Sequence, residues 1–340
     1  MPATVTTIGS MPGTSVRDAV GLVVSEMTSG DAIPHLPELP ARGPGSDLIG
    51  RTAGLLAGVV ADLAVETTAS GWRFADAPGR DSRRAASWLG EDLDAWEESL
   101  QGFDGTVAVS MAGPWTLAAA IELRTGERAV RDPGACRDIV GALEVAVVDH
   151  LADLRRRLPA AQLSLWLDEP SLPSVLSGAI ATQSGLSRYA GVDEPVVEAA
   201  FRRVVDAVHS AGAAVVVHCC GARPPYSLLV RSGFDAVSVD LLLHDRHDDD
   251  AIGELVDAGR RLVAGVLPGT DAEMSEVGAS VDLVRDLGHR LGHSPEVTAG
   301  WVLVSPTCGL AGASPDHARS VLTRLRAVGR GLRDEDGDRG

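Results

Sequence analysis

Short runs of apolar, mostly β-branched residues recur along the chain, separated by longer stretches in which apolar residues return every third or fourth position. The short runs predict strands near 5–8, 32–36, 106–111, 162–167, 213–218, 234–239, 261–266 and 301–305. The longer stretches predict helices over 51–66, 82–100, 136–157, 195–211, 251–260, 281–291 and 315–332. Strand and helix alternating in this way is the pattern of parallel βα units. Eight such strands in 340 residues fit an α/β fold of the (β/α)8 barrel kind. The interval between the second and third strands is long. With no linker-like composition at its flanks, it reads as a helical insertion around 40–103 within a single barrel over 1–333, with a loop at 71–79. The charged, glycine-containing end, 334–340, reads as a disordered tail.

Composition narrows the chemistry. The net charge of -17 is the wrong sign for nucleic acid or an anionic membrane surface, each of which selects a basic footprint. All 30 basic residues are arginine, so Schiff-base catalysis, a pyridoxal phosphate lysine and a phosphate-loop lysine are excluded. Four cysteines, unevenly spaced, argue against a disulfide framework. No basic and apolar leader opens the sequence and no run reaches membrane-spanning length. The expectation is a cytoplasmic protein.

Candidate chemistry collects at predicted strand ends. His218-Cys219-Cys220 closes the fifth strand, and the period of two in a strand puts His218 and Cys220 on one face and Cys219 on the other. Cys308 follows the eighth strand, Asp168-Glu169 the fourth and Asp240 the sixth. In a barrel all these ends open onto one mouth. Nitrogen and sulfur ligands suit zinc, and His218, Cys220 and Cys308 would supply three with room for a fourth.

The segments Thr7-Ile8-Gly9-Ser10-Met11-Pro12, Gly113-Pro114-Trp115-Thr116-Leu117, Leu167-Asp168-Glu169-Pro170-Ser171-Leu172, His218-Cys219-Cys220 and Ser305-Pro306-Thr307-Cys308-Gly309-Leu310 carry a resemblance. In this order they resemble the catalytic C-terminal barrel of cobalamin-independent methionine synthase, a fold of the uroporphyrinogen decarboxylase/methionine synthase type. The resemblance runs from residue 7 to 310 and implies a core-type protein without the N-terminal barrel. It also implies an enzyme, a zinc-dependent methyltransferase that methylates the thiol of homocysteine or a similar small molecule. By that likeness His218, Cys220, Asp240 and Cys308 are the Zn2+ ligands, with Asp240 standing where the family has a glutamate. Ile8, Gly9, Ser10, Glu38 and Asp168 are implied to bind the amino acid, Asp168 being counted as catalytic. Exposed backbone N–H groups around a glycine turn suit a carboxylate, and a buried aspartate suits an ammonium.

The chain departs from the family at two places that serve one step. Ala118-Ala119-Ala120 stands where a folate-stacking tryptophan is expected, and no histidine occurs between His247 and His289, where the family carries a proton relay. Asp271 or Glu273 would be the substitute for that relay. Methyltetrahydrofolate leaves only when its nitrogen is protonated, so losing both features points to a methyl donor other than folate, such as a corrinoid. A zinc enzyme alkylating another thiol, and a zinc- and thiol-binding barrel without turnover, are the alternatives.

Overall fold

The computed structural model describes residues 5–333. Its strands are β1 (Val5–Thr6), β2 (Ala32–Ile33), β3 (Val65–Thr68), β4 (Gly71–Phe74), β5 (Thr106–Ala112), β6 (Gln162–Asp168), β7 (Ala214–His218), β8 (Ala236–Asp240), β9 (Arg261–Leu267) and β10 (Val302–Pro306). Eight of them form one all-parallel sheet in the order β2-β1-β10-β9-β8-β7-β6-β5. The seam closes where the chain after β2 meets β5. Ala108 donates to the Pro34 carbonyl (2.8 Å) and accepts from the Leu36 amide (2.9 Å). The fold is the predicted (β/α)8 barrel.

The eight predicted strands are all present, within two residues for the longer ones. The first two contract to pairs, Val5–Thr6 and Ala32–Ile33. The insertion differs from expectation. The helix predicted over 51–66 runs over Leu48–Val59, capped by Asp47, whose carboxylate accepts from the Gly50 amide (2.9 Å). Val65-Glu66-Thr67-Thr68 then pairs antiparallel with Gly71-Trp72-Arg73-Phe74, so the expected loop at 71–79 begins as half of a hairpin. Alternation in both segments is consistent with strands, but four residues are too few for periodicity to outweigh the adjoining helical pattern. Asp81 fastens the hairpin to the next helix by accepting from the Thr67 amide (2.9 Å) and hydroxyl (2.8 Å). The 334–340 tail lies outside the described residues.

Helices Val16–Met27, Leu48–Val59, Arg80–Ser99, Pro133–Arg157, Glu194–Ser210, Val277–Arg290 and Pro315–Arg333 turn apolar stripes onto the barrel's outer face. Short helices follow several strands, including Pro114–Ala120 after β5 and Leu172–Leu176 after β6. Inside the barrel a separate apolar layer, Ile8, Ile33, Ala108, Trp166, Val216, Ala236, Val263 and Leu303, takes one residue from each strand or its direct continuation. Two residues further toward the C-terminal mouth the same pleat face carries Ser10, His35, Ser110, Asp168, His218, Ser238, Gly265 and Ser305. An apolar floor therefore lies directly beneath a ring of polar residues and one glycine.

The outer layer is as tightly specified. Phe201, fully buried on helix Glu194–Ser210, meets Phe234 edge-to-face with ring centroids 5.3 Å apart. Phe201→Ala is expected to cost about 3–5 kcal/mol, from lost burial and the cavity left behind. Urea unfolding followed by circular dichroism measures this, and a loss under about 1 kcal/mol would mean the helix does not depend on that contact.

Candidate metal and thiol site

The loops above the strands are held in place by continuing the ladder. Gly113 N–H donates to the Asp168 carbonyl (3.0 Å), Glu169 N–H to His218 (2.7 Å), Cys219 N–H to Ser238 (2.8 Å) and Thr307 N–H to Leu267 (2.8 Å). Asp168 and His218 are thereby tied to the neighbouring strand ends. Cys308 is held from the other side as well. The Leu310 amide donates to the Ser10 carbonyl (2.7 Å), and a Cβ on Gly309 would lie 2.0 Å from Ser10 Oγ, so only glycine permits this approach. The Ile8-Gly9-Ser10 turn and the Cys308 loop thus form one wall.

His218, Cys220 and Cys308 converge as predicted, with ligand atoms all within 4.8 Å of one another. The His218 ring is buried, its Nδ1 lies 2.9 Å from Ser238 Oγ, and its Nε2 has no partner among the described residues. A buried ring nitrogen left bare beside two thiols is an arrangement a metal would complete. The two Sγ atoms are 3.6 Å apart and share a hydrogen bond. That bond lowers the Cys308 thiol from its ordinary value and raises Cys220. Cys219 faces away into the core, and burial pushes it up to about 12, as suits an inert thiol. Asp240 is not part of the group. It is half-buried, and its Oδ1 accepts from the Leu242 amide (2.9 Å), capping the turn after β8.

The two acids expected to hold an amino group are both buried. Asp168 Oδ1 and Glu38 Oε1 have no hydrogen-bond partner among the described residues. Burial raises both carboxyls, Glu38 to about 7, and Glu38 contributes in turn to the rise at Asp168. Arg51 lies 4.0 Å from Glu38 Oε1, but it also lies 3.8 Å from Asp92 and donates to the Pro37 carbonyl (3.0 Å). Its pull on Glu38 is outweighed by desolvation. Gly9 is in contact distance of this acid, since a Cβ there would meet Ser110 Oγ at 3.0 Å and Glu38 Cδ at 3.5 Å.

Glu169, next to Asp168, has a different task. Its carboxylate accepts from Trp115 N–H (2.9 Å), Thr116 N–H (2.8 Å) and the Thr116 hydroxyl (2.8 Å), closing the N-terminus of helix Pro114–Ala120. A side chain at 113 would collide with it, because a Cβ there would lie 2.2 Å from Glu169 Oε1. Two of the five sequence motifs are thus halves of one contact.

Two residues near the mouth escaped sequence reasoning. His35 is buried in the polar ring, bonded through Nδ1 to the Thr7 hydroxyl, and burial takes it down to about 3, so it is neutral. His317, from the start of the last helix, lies 3.3 Å from the Pro268 carbonyl and 3.8 Å from Asp271. Asp271 itself accepts from Ser314 N–H (2.8 Å) and its hydroxyl (3.0 Å), so the acid considered for a proton relay is engaged in a cap. His35 lies at the end of the strand predicted over 32–36, a placement that could have flagged it, whereas only the fold brings His317 to the mouth. A cleft of about 760 Å³ between helices Pro133–Arg157 and Glu194–Ser210 is lined by none of the predicted site residues and is separate from this chemistry.

The described residues thus form a parallel barrel with a His/Cys/Cys cluster and a buried acid pair at its C-terminal mouth. The chain belongs to the family described as cobalamin-independent synthase, catalytic domain, whose model matches residues 2–330. No curated protein matches it in sequence. Among solved structures it is similar to a B12-independent methionine synthase from Shewanella sp. W3-18-1 in complex with selenomethionine, at 13% identity over 98% of both chains and a TM-score of 0.62. It is also similar to a GH20 β-N-acetylhexosaminidase from Streptomyces coelicolor A3(2), at 16% identity over 96% of this chain and 63% of that one, with a TM-score of 0.52. At such identities these likenesses are of fold. No helix among the described residues is long and apolar enough to cross a membrane.

The buried acids generate a pH dependence. A carboxyl raised from 4.5 to about 7 by folding stays protonated where the unfolded chain has ionised, so stability falls as pH rises through that window. For the ligand-free protein Glu38 alone should remove about 2–3 kcal/mol between pH 5 and pH 7.5. Glu38→Gln should flatten that part of the profile in urea unfolding, and a variant profile parallel to the wild type would show that Glu38 ionises freely.

Proposed function

We propose that this protein is a zinc-dependent thiol methyltransferase that transfers a methyl group to homocysteine or a closely similar amino acid thiol. The observation that carries the reading is the bare, buried Nε2 of His218 beside the Cys220 and Cys308 sulfurs. The donor set suits zinc, whose preferred ligands are imidazole and thiolate. When bound there, the ion would acidify an added thiol and hold it as the nucleophile. The protein's own residues supply the rest. Asp168 and Glu38, each with an unpaired buried oxygen, hold the substrate ammonium, which restores the charge that burial costs them. The Ile8-Gly9-Ser10 turn offers backbone N–H groups to the carboxylate. With both ends of the amino acid fixed, its side-chain sulfur is directed toward His218, Cys220 and Cys308, and methyl transfer becomes a matter of presenting the donor in line. Cys308 is exposed, so the donor can approach from the mouth.

The donor is read from what the mouth lacks. Ala118 to Ala120 close helix Pro114–Ala120 with no aromatic ring to stack on a pteridine, and Asp271 is occupied with Ser314. A corrinoid donor, which leaves without prior protonation, fits this mouth better than a folate.

Purified protein is expected to contain near-stoichiometric zinc that Cys308→Ser loses. Zinc-edge absorption should gain a sulfur neighbour when homocysteine is added. Zinc with an unchanged shell would assign the site to another thiol, and absence of zinc from freshly prepared protein would overturn the reading. In turnover assays methylcobalamin should support methionine formation where methyltetrahydrofolate does not, and efficient folate-dependent turnover would refute the donor assignment.

A further inference from the structure

We infer that β8 serves the metal through Ser238 and not through Asp240, so that the centre is held by three side chains with its fourth position open before any thiol arrives. The inference rests on the zinc reading above and concerns what this chain does with one strand. Ser238 and Asp240 lie two residues apart on the inward face of β8, one at the level of His218 and the other at the strand end. Their side chains are already committed in opposite ways.

Ser238 is fully buried and its Oγ is 2.9 Å from His218 Nδ1. An imidazole that ligates through Nε2 must carry its remaining proton on Nδ1, and an acceptor placed there fixes both tautomer and ring rotation. Ser238 Oγ is that acceptor. The strand register supports the contact, since His218 pairs with Ser238 across the β7–β8 ladder and Cys219 N–H donates to the Ser238 carbonyl. A neutral hydroxyl orients the ring without adding the negative charge that a carboxylate would bring to a site already holding two thiolates and the buried Asp168.

Asp240 is placed to do something else. Its Oδ1 accepts from Leu242 N–H at 2.9 Å. This bond closes the single turn Leu241–Leu243. The three metal-ligating residues assemble without it. Bringing the carboxylate to the cluster would uncap that turn, and aspartate is one methylene short of a glutamate that could reach from the same position. A three-ligand zinc keeps an open position, the usual arrangement when a substrate atom must bind the ion. Thiol addition at this centre therefore displaces no protein carboxylate.

The test is zinc affinity, read by competition with a chromophoric chelator on the full-length protein, with melting curves as a check on folding. Asp240→Asn keeps an oxygen for the Leu242 cap and removes the charge. It should leave zinc affinity within about threefold of wild type and leave the affinity for homocysteine unchanged. Ser238→Ala, a change of one buried oxygen, should weaken zinc about 10–100-fold, the usual effect of removing an outer hydrogen-bond partner of a metal-bound histidine, with little change in melting temperature. Tenfold or greater weakening by Asp240→Asn would show that the carboxylate swings onto the ion, and an unaffected Ser238→Ala would show that the ring is oriented by packing alone. Either result overturns the inference. Cys308→Ser separates this from the wider reading. If that variant also keeps wild-type zinc affinity, the metal site itself is elsewhere.

Discussion

The alternation of side chains along a closed parallel barrel is the constraint from which the rest follows. Because every strand repeats its facing every second residue, the apolar floor containing Trp166, Val216 and Ala236 sets the next inward position of those strands at the level of the mouth. Those positions are where Asp168, His218 and Ser238 stand. A one-residue slip in β7 would turn His218 outward and bring Cys219 in, replacing the imidazole by a thiol now packed in the core. Site geometry is thus a by-product of register, and register is secured by burial of the floor.

Holding polar groups above such a floor is costly, and the chain meets the cost in three ways. Glu169 is satisfied completely by backbone and hydroxyl donors of the neighbouring helix. His35 is kept neutral and bonded to Thr7. Asp168, Glu38 and His218 each keep a buried atom with no hydrogen-bond partner among the described residues, as does His35 at Nε2, and Glu38 has only the Arg51 guanidinium at 4.0 Å. The division is informative, because strain of that kind persists where a ligand removes it. Structural carboxylates at this mouth are fully bonded, whereas the ones proposed to bind substrate are not.

The long strands were legible because they are apolar on both faces and bounded by helical periodicity, as in 162–167 and 261–266. The convergence of His218, Cys220 and Cys308 was legible too, since strand-end placement follows from counting βα units. The hairpin β3–β4 was not, because its two four-residue strands fall below the length at which alternation outweighs neighbouring helix pattern. Asp240 shows a different limit. Its position after β8 is evident in the sequence, but whether a carboxylate turns toward the mouth or caps its own turn is decided by local amides that no spacing reveals. His35 and His317 were hidden for a third reason. Their partners are 28 and 49 residues distant along the chain, so that tertiary structure alone reveals the contacts, although the strand predicted over 32–36 already placed His35 near the mouth.

The contact between Glu169 and the Gly113–Thr116 turn has an implication for how such a barrel can change over time. The carboxylate occupies the space of a missing Cβ and bonds the first amides of the helix, so the two strand ends form one lock and key made from distant parts of the gene. Neither half can drift alone. A larger residue at 113 evicts the acid, and a shorter one at 169 strips the helix of its cap beside the residue proposed to grip the substrate. Mutational searches for a new specificity at this mouth will therefore find those positions frozen singly and movable only as a pair.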